Sequence, residues 1–206
     1  MQRVFWLVAA LVLASADAGS VVPKFCSGRR PCVASPERVG RGVEPAASVA
    51  GIGITVSDLD RAVAFYTGVL DFTASPEIAL GGAEFERECG LAGARARRAE
   101  LRLGDERIWL TQYLEPVGRA MPADSRSHDR WFQHIAVVVS DIDAAYARLR
   151  KHKVRHVSSG PQTLPETIPA AAGIRAFYFK DPDGHVLEVI QYPPGKGDPR
   201  WRRGAG

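Results

Sequence analysis

His134 opens the stretch HIAVVVSDID, residues 134–143, and Gly51 opens the similar GIGITVSDLD, residues 51–60. Imidazole is a common metal ligand and the side chain that gains or loses a proton near neutrality; glycine does neither. One copy of a repeated segment therefore begins on a group fit for metal binding or acid-base work, and the other begins on none. The acidic residues of the same segments have a structural use. Ser57 and Ser140 are expected as helix N-caps, and Asp60 and Asp143 follow three residues later, beside free amides and the positive end of the helix dipole. Of three cysteines, Cys26 and Cys32 in CSGRRPC are close enough in sequence for a small disulfide loop or can remain thiols, and Cys89 is left over.

The repeat needs no gaps. Ile52, Val56, Ser57, Asp58 and Asp60 recur 83 positions later as Ile135, Val139, Ser140, Asp141 and Asp143 (140 − 57 = 83). Each copy starts with an alternating β-branched run, IGITV or IAVVV, and continues into an amphipathic helix. Leu59, Val63 and Leu70 stripe the first helix; Ile142, Ala145, Tyr146 and Leu149 stripe the second. Further strands complete each unit. In the first, FTASPEIAL holds a strand, AEFERECG is a short helical insert, and RAELRLGDERIWLTQY is a hairpin turning at Gly104-Asp105. In the second, VRHVSSG is a short strand, and IRAFYFKDPDGHVLEVIQY is a hairpin turning over Asp181-Pro182-Asp183-Gly184. The expected fold class is α+β, two tandem βαβββ modules over residues 48–116 and 131–193, joined by a polar linker at 117–130.

The ends carry other signals. Arg3, a short apolar run and Ala16-Asp17-Ala18 describe a secretory signal peptide over 1–18, too short to span a bilayer, so an exported, periplasmic or secreted protein without a stable membrane span is expected. Residues 19–47 read as an extended arm and 194–206 as a tail. With 46% hydrophobic and 24% charged residues, the chain has enough apolar content for a substantial core. The net charge of +4 lies in clusters such as RARR and RWRR that lack aromatic interleaving, so nucleic acid is not an expected partner.

Taken together, ITVSDLDRAVAFY, HIAVVVSDIDAAYARL and FKDPDGHVLEVIQY resemble the vicinal oxygen chelate superfamily of glyoxalases, extradiol dioxygenases and bleomycin-resistance proteins over residues 49–192. The resemblance implies paired curved sheets around one cleft, and a divalent metal held at the start of the first strand and near the middle of the last strand of each module. His134 and Glu188 match those positions in the second module. In the first, Gly51 stands at the histidine position, and the carboxylate position falls on Trp109 or its neighbour Leu110. Family-type sites use three or more protein donors, so the resemblance implies a degenerate site in which Fe, Mn, Ni or Zn is weakly held or absent. His128, His185, Glu106 and Gln112 are the candidates for a third ligand. His134 and Glu188 are also an acid-base pair without metal.

Strand alternation adds the other candidates. If His134 faces the cleft, Gly51, Gly53 and Thr55 do so from the first module, with Trp109, Arg107 and Thr111 sharing a face on the opposing strand. A large indole opposite two glycines fills the volume left by the missing ligands. Arg175 is a candidate clamp for an anionic group, and Phe177 and Phe179 present an aromatic face to a ligand or a helix. The resemblance implies a small-molecule ligand between the modules, bound without turnover or processed by lyase, isomerase or ring-cleaving dioxygenase chemistry. A homodimer that exchanges modules is left open.

Overall fold

The computed structural model describes residues 48–131 and 134–202. The expected signal peptide, the arm, the Cys26 and Cys32 pair and the last residues of the tail lie outside the described residues. The described residues from Val49 onward form one compact unit. No described helix is long and apolar enough to cross a membrane.

The first module runs β1 (Ile52–Thr55), α1 (Leu59–Leu70), β2 (Thr73–Ala74), β3 (Ile78–Leu80), α2 (Ala83–Cys89), β4 (Arg95–Leu103) and β5 (Glu106–Glu115). The second runs β6 (Ile135–Val138), α3 (Ile142–Lys151), β7 (Arg155–His156), β8 (Gln162–Thr163), β9 (Arg175–Lys180) and β10 (Val186–Gln191), followed by a 3-10 turn at Pro199–Arg202. The sheet orders are β1-β5-β4-β2, with β3 also on β4, and β6-β10-β9-β7, with β8 also on β9. In each, the first strand runs parallel to the last and all other pairs are antiparallel. This is βαβββ twice, with the second strand of each unit in two short pieces.

A glutamine fixes each strand-to-helix connection. Gln112 accepts from the Leu59 N–H and donates to the Ser57 carbonyl; Gln191 does the same for Ile142 N–H and Ser140 carbonyl. A second repeated device is an arginine on the penultimate strand, Arg97 or Arg175, that grips the acid in the first helical turn, Asp60 or Asp143, through two hydrogen bonds. The N-caps are Asp58 and Asp141 and not the expected serines. Both are extended, and their carboxylates accept from the amides two or three residues on. In the first module the hydroxyl and amide of Ser57 are engaged by Asp183 of the other module.

One hydrophobic core spans both modules. Leu59, Ala62, Tyr66 and Leu70 of α1 and Ile142 and Leu149 of α3 pack with Leu101, Ile108, Leu110, Phe177, Phe179, Leu187 and Val189 from the helix-facing sides of the sheets. Full burial of each large aliphatic or aromatic side chain contributes about 1.5–3 kcal/mol. Asp181 is the polar node of this junction. Its buried carboxylate accepts from the amides of Asp183 and His185, from the Tyr66 hydroxyl of the first module at 3.2 Å, and pairs with His185 Nδ1 at 2.8 Å. Arg148 of α3 ties the modules again through two hydrogen bonds to Asp71.

Burial by itself would lower the His185 pKa, but the hydrogen bond and charge of Asp181, with Asp183 nearby, outweigh it and raise the pKa above the ordinary 6.5. The protonated imidazole is therefore the stabilising form. Its contribution is fully present below the unfolded value and is lost as pH rises through the folded one. Urea unfolding should show the stability gap between the native chain and His185→Gln widest near about pH 6 and narrowing toward about pH 9. A gap that widens with pH would refute the pairing.

Candidate functional site

Each sheet has one face under its helix and one face turned away from it. On β10, Leu187 and Val189 enter the core, which turns Glu188 to the opposite, open face. Glu188 is flanked in the ladder by Ala136 on β6 and Tyr178 on β9. His134, immediately before β6, reaches the same carboxylate, with Nε2 to Oε2 at 3.3 Å. Both side chains are mostly shielded, at 16% and 12% exposure, so the pair has restricted access to water and its interactions are strengthened accordingly.

Tyr178 completes the group. It stands opposite Glu188 in the β9–β10 ladder, and its ring centroid lies 5.0 Å from that of His134. Burial, then the charge and hydrogen bond of Glu188, push the phenol up to about 12, so it stays protonated at neutral pH and donates to the carboxylate. The sequence reading passed over Tyr178 in favour of Phe177. A four-residue turn over Asp181–Gly184 sets Phe177 opposite Glu188. The actual connection closes with the Asp181 N–H on the His185 carbonyl, and that extra residue moves the register by one. Counting the hairpin with His185 in the loop would have found the tyrosine.

Phe177 is buried in the core beside Tyr146 and Phe179, under α3. Arg175 faces the same side and is held by Asp143 at 2.7 and 2.8 Å. The structure thus brings neither residue to His134 and Glu188.

The first module presents a different open face. Gly53 pairs with Trp109 as Ala136 pairs with Glu188, which settles the carboxylate-equivalent position on Trp109 and not on Leu110. Leu110 is in the core. A Cβ on Gly51 would lie 2.8 Å from Arg107 Cγ and 2.9 Å from the Trp109 ring, so the indole and the arginine stem fill the space a histidine would need. Gly53 has nothing within 4 Å of that position and leaves open room. Opposite Trp109 on β4 stands Glu100, in the place Tyr178 takes in the second module. Glu100 accepts from the Trp109 Nε1–H at 3.1 Å and from the Arg102 Nε–H at 2.8 Å. The Arg102 hydrogen bond most of all, helped by that of Trp109 and the charge of Arg107, holds the Glu100 carboxyl below its ordinary range. Thr111 is buried and its hydroxyl accepts from Arg98.

The four candidate third ligands do not join His134 and Glu188. His185 is committed to Asp181 and Gln112 to the β1–α1 connection. His128 is exposed in the linker beside Asp129, and Glu106 is exposed at the β4–β5 turn. Among the described residues no three His, Cys, Asp or Glu side chains converge to hold a metal. The donor set is two, below the three of a family-type centre.

Comparison with known proteins agrees with this geometry. The chain is 37% identical over 163 residues to a 2-epi-5-epi-valiolone epimerase from an Actinomyces species, covering 76% of this chain and 85% of that protein. It is 30% identical over 138 residues to the metallothiol transferase FosB of Shouchella clausii (strain KSM-K16), covering 66% and 73%. Among solved structures, a glyoxalase family protein from Bacillus cereus shares the fold, with a TM-score of 0.63 at 20% identity over 74% of this chain and 98% of that one. Residues 48–189 match the glyoxalase/bleomycin resistance protein/dioxygenase superfamily, and the chain belongs to that family with the vicinal oxygen chelate fold.

Proposed function

We propose that this chain is an exported isomerase that epimerises a small polyhydroxylated ring ketone, with Glu188 as the proton-transfer group. The observation that carries the reading is the Glu188 carboxylate held on the open face between His134 and Tyr178. The similarity to the valiolone epimerase supports the substrate class. Inverting a carbon beside a carbonyl requires a base to take its proton while the C–H electron pair moves onto the carbonyl oxygen. Return of a proton from solvent water to the opposite face, with collapse of the enolate, completes the inversion, and the carboxyl then gives its proton back to solvent. Glu188 is placed to take the proton. Tyr178 and His134 fix its orientation, and the buried setting strengthens the interactions that the charge makes. The residues present do not make the three-donor centre of the family, so no part of this step is routed through a metal and the proton abstraction falls to Glu188.

A second reading has its own support: Trp109 and Arg107 fill the Gly51 half of the site, as suits a protein that holds a small molecule in the intermodule cleft without turnover. The export part of the proposal rests on the signal-peptide pattern of residues 1–18, and the N-terminus of the mature protein tests it.

Incubation with 2-epi-5-epi-valiolone in heavy water, followed by NMR, separates the two readings. The epimerase reading expects deuterium at the inverted carbon and a second epimer, with Glu188→Gln slowing exchange by about 10²–10⁴-fold. Binding without exchange by the native chain favours the sequestering reading, and full activity in Glu188→Gln removes Glu188 from the chemistry. A second test addresses the metal. Replacing both Gly51→His and Trp109→Glu sets four donors at the repeat-related positions, and this double variant should retain close to one Mn, Co or Zn per chain by elemental analysis. The parent should hold less; a full equivalent tightly bound by the parent would defeat the two-donor reading.

A further inference from the structure

A cavity of about 510 Å3 opens at the junction of the modules, and neither His134 nor Glu188 lines it. Its walls come from the Asp181–Gly184 turn, the segment from His152 to Arg155 that leads from α3 into β7, Lys180 of β9, Phe65 of α1 and the linker at Met121–Ala123. The carboxylates here are already engaged. Asp181 holds His185 and Tyr66, and Asp183 accepts from the Ser57 amide and hydroxyl and from Arg61 at 2.9 Å. The cations are not. Among the described residues Lys153 and Arg155 have no carboxylate partner, and the Lys180 ammonium donates to the Ser125 carbonyl, a neutral acceptor.

Two local features sharpen the contrast. Residues Asp71 and Lys153 follow α1 and α3 in the same left-handed conformation, φ 61 and φ 54, which glycine adopts more cheaply. Asp71 is paired by Arg148, whereas Lys153 stands at the cavity wall. The carbonyls ending α3 are capped by the amides of His152, Lys153 and Val154, so the negative end of that helix does not face the cavity with bare acceptors.

We propose that this cavity binds a phosphorylated small molecule. Lys153, Arg155 and Lys180 take the phosphate oxygens, and Phe65, Met121 and Val154 cover the carbon part. Three cations beside carboxylates that are already satisfied suit a dianion better than a single carboxylate, and the arginine fork matches phosphate oxygens in pairs.

The full-length chain titrated with phenyl phosphate at constant ionic strength, and followed by amide NMR, tests this. Saturable shifts at residues 152–155 and 180–184 are expected, with a Kd of about 0.1–1 mM. Lys153→Ala with Arg155→Ala should weaken binding at least about tenfold, while Arg87→Ala and His134→Ala leave it unchanged. The proposal fails if shifts spread over the basic surface without saturating, if the double variant binds like the native chain, or if His134→Ala abolishes binding. It also fails if benzoate binds as tightly as phenyl phosphate.

Discussion

The buried carboxylate of Asp181 is the constraint on which the arrangement of the two modules rests. An isolated charge there would be costly, and four donors from two modules keep it satisfied: two amides of its own turn, the imidazole of His185 and the phenol of Tyr66. Tyr66 is in turn buried in α1, and desolvation first, then Asp181, pushes its phenol far above the usual range, so it remains a donor. Because the same turn sets the β9–β10 register, the node that joins the modules also decides that a tyrosine, and not a phenylalanine, stands beside Glu188.

The two modules divide into a repeated frame and an unlike open face. The repeated parts hold strand, helix and sheet of each module together: a glutamine that closes the strand-to-helix connection, an aspartate that caps the helix, an arginine that binds the acid of its first turn. The open face carries no such burden, and there the copies part company. Histidine, glutamate and tyrosine in one module stand where glycine, tryptophan and glutamate stand in the other.

Much of this was legible in the sequence. The gapless repeat, the β-branched alternation and the acidic helix starts led to the α+β architecture, and the motif set led to the family. The equivalence of Gly51 and His134 followed from the repeat and the place of Glu188 from the family motif, while Trp109 and Leu110 stood as alternatives until the β1–β5 register separated them. What escaped depended on contacts between modules or on single-residue registers. Ser57 reads as an N-cap until Asp183 of the other module takes its hydroxyl. Arg175 reads as a ligand clamp until Asp143 is seen across the sheet. Phe177 and Tyr178 exchange faces with one extra residue in a turn, and periodicity carries no information on that count.

The tight fit of Trp109 and Arg107 over Gly51 also bears on handedness. A cleft built from two identical modules would have a twofold axis, and a ligand could enter it in either of two equivalent orientations. Here the open face of one module offers an acid, an imidazole and a phenol, and that of the other an indole with an arginine stem and an open patch at Gly53. The twofold equivalence of the repeat is thereby broken, so the two faces present different chemistry and the molecule has a sense of direction that its frame alone would not give it.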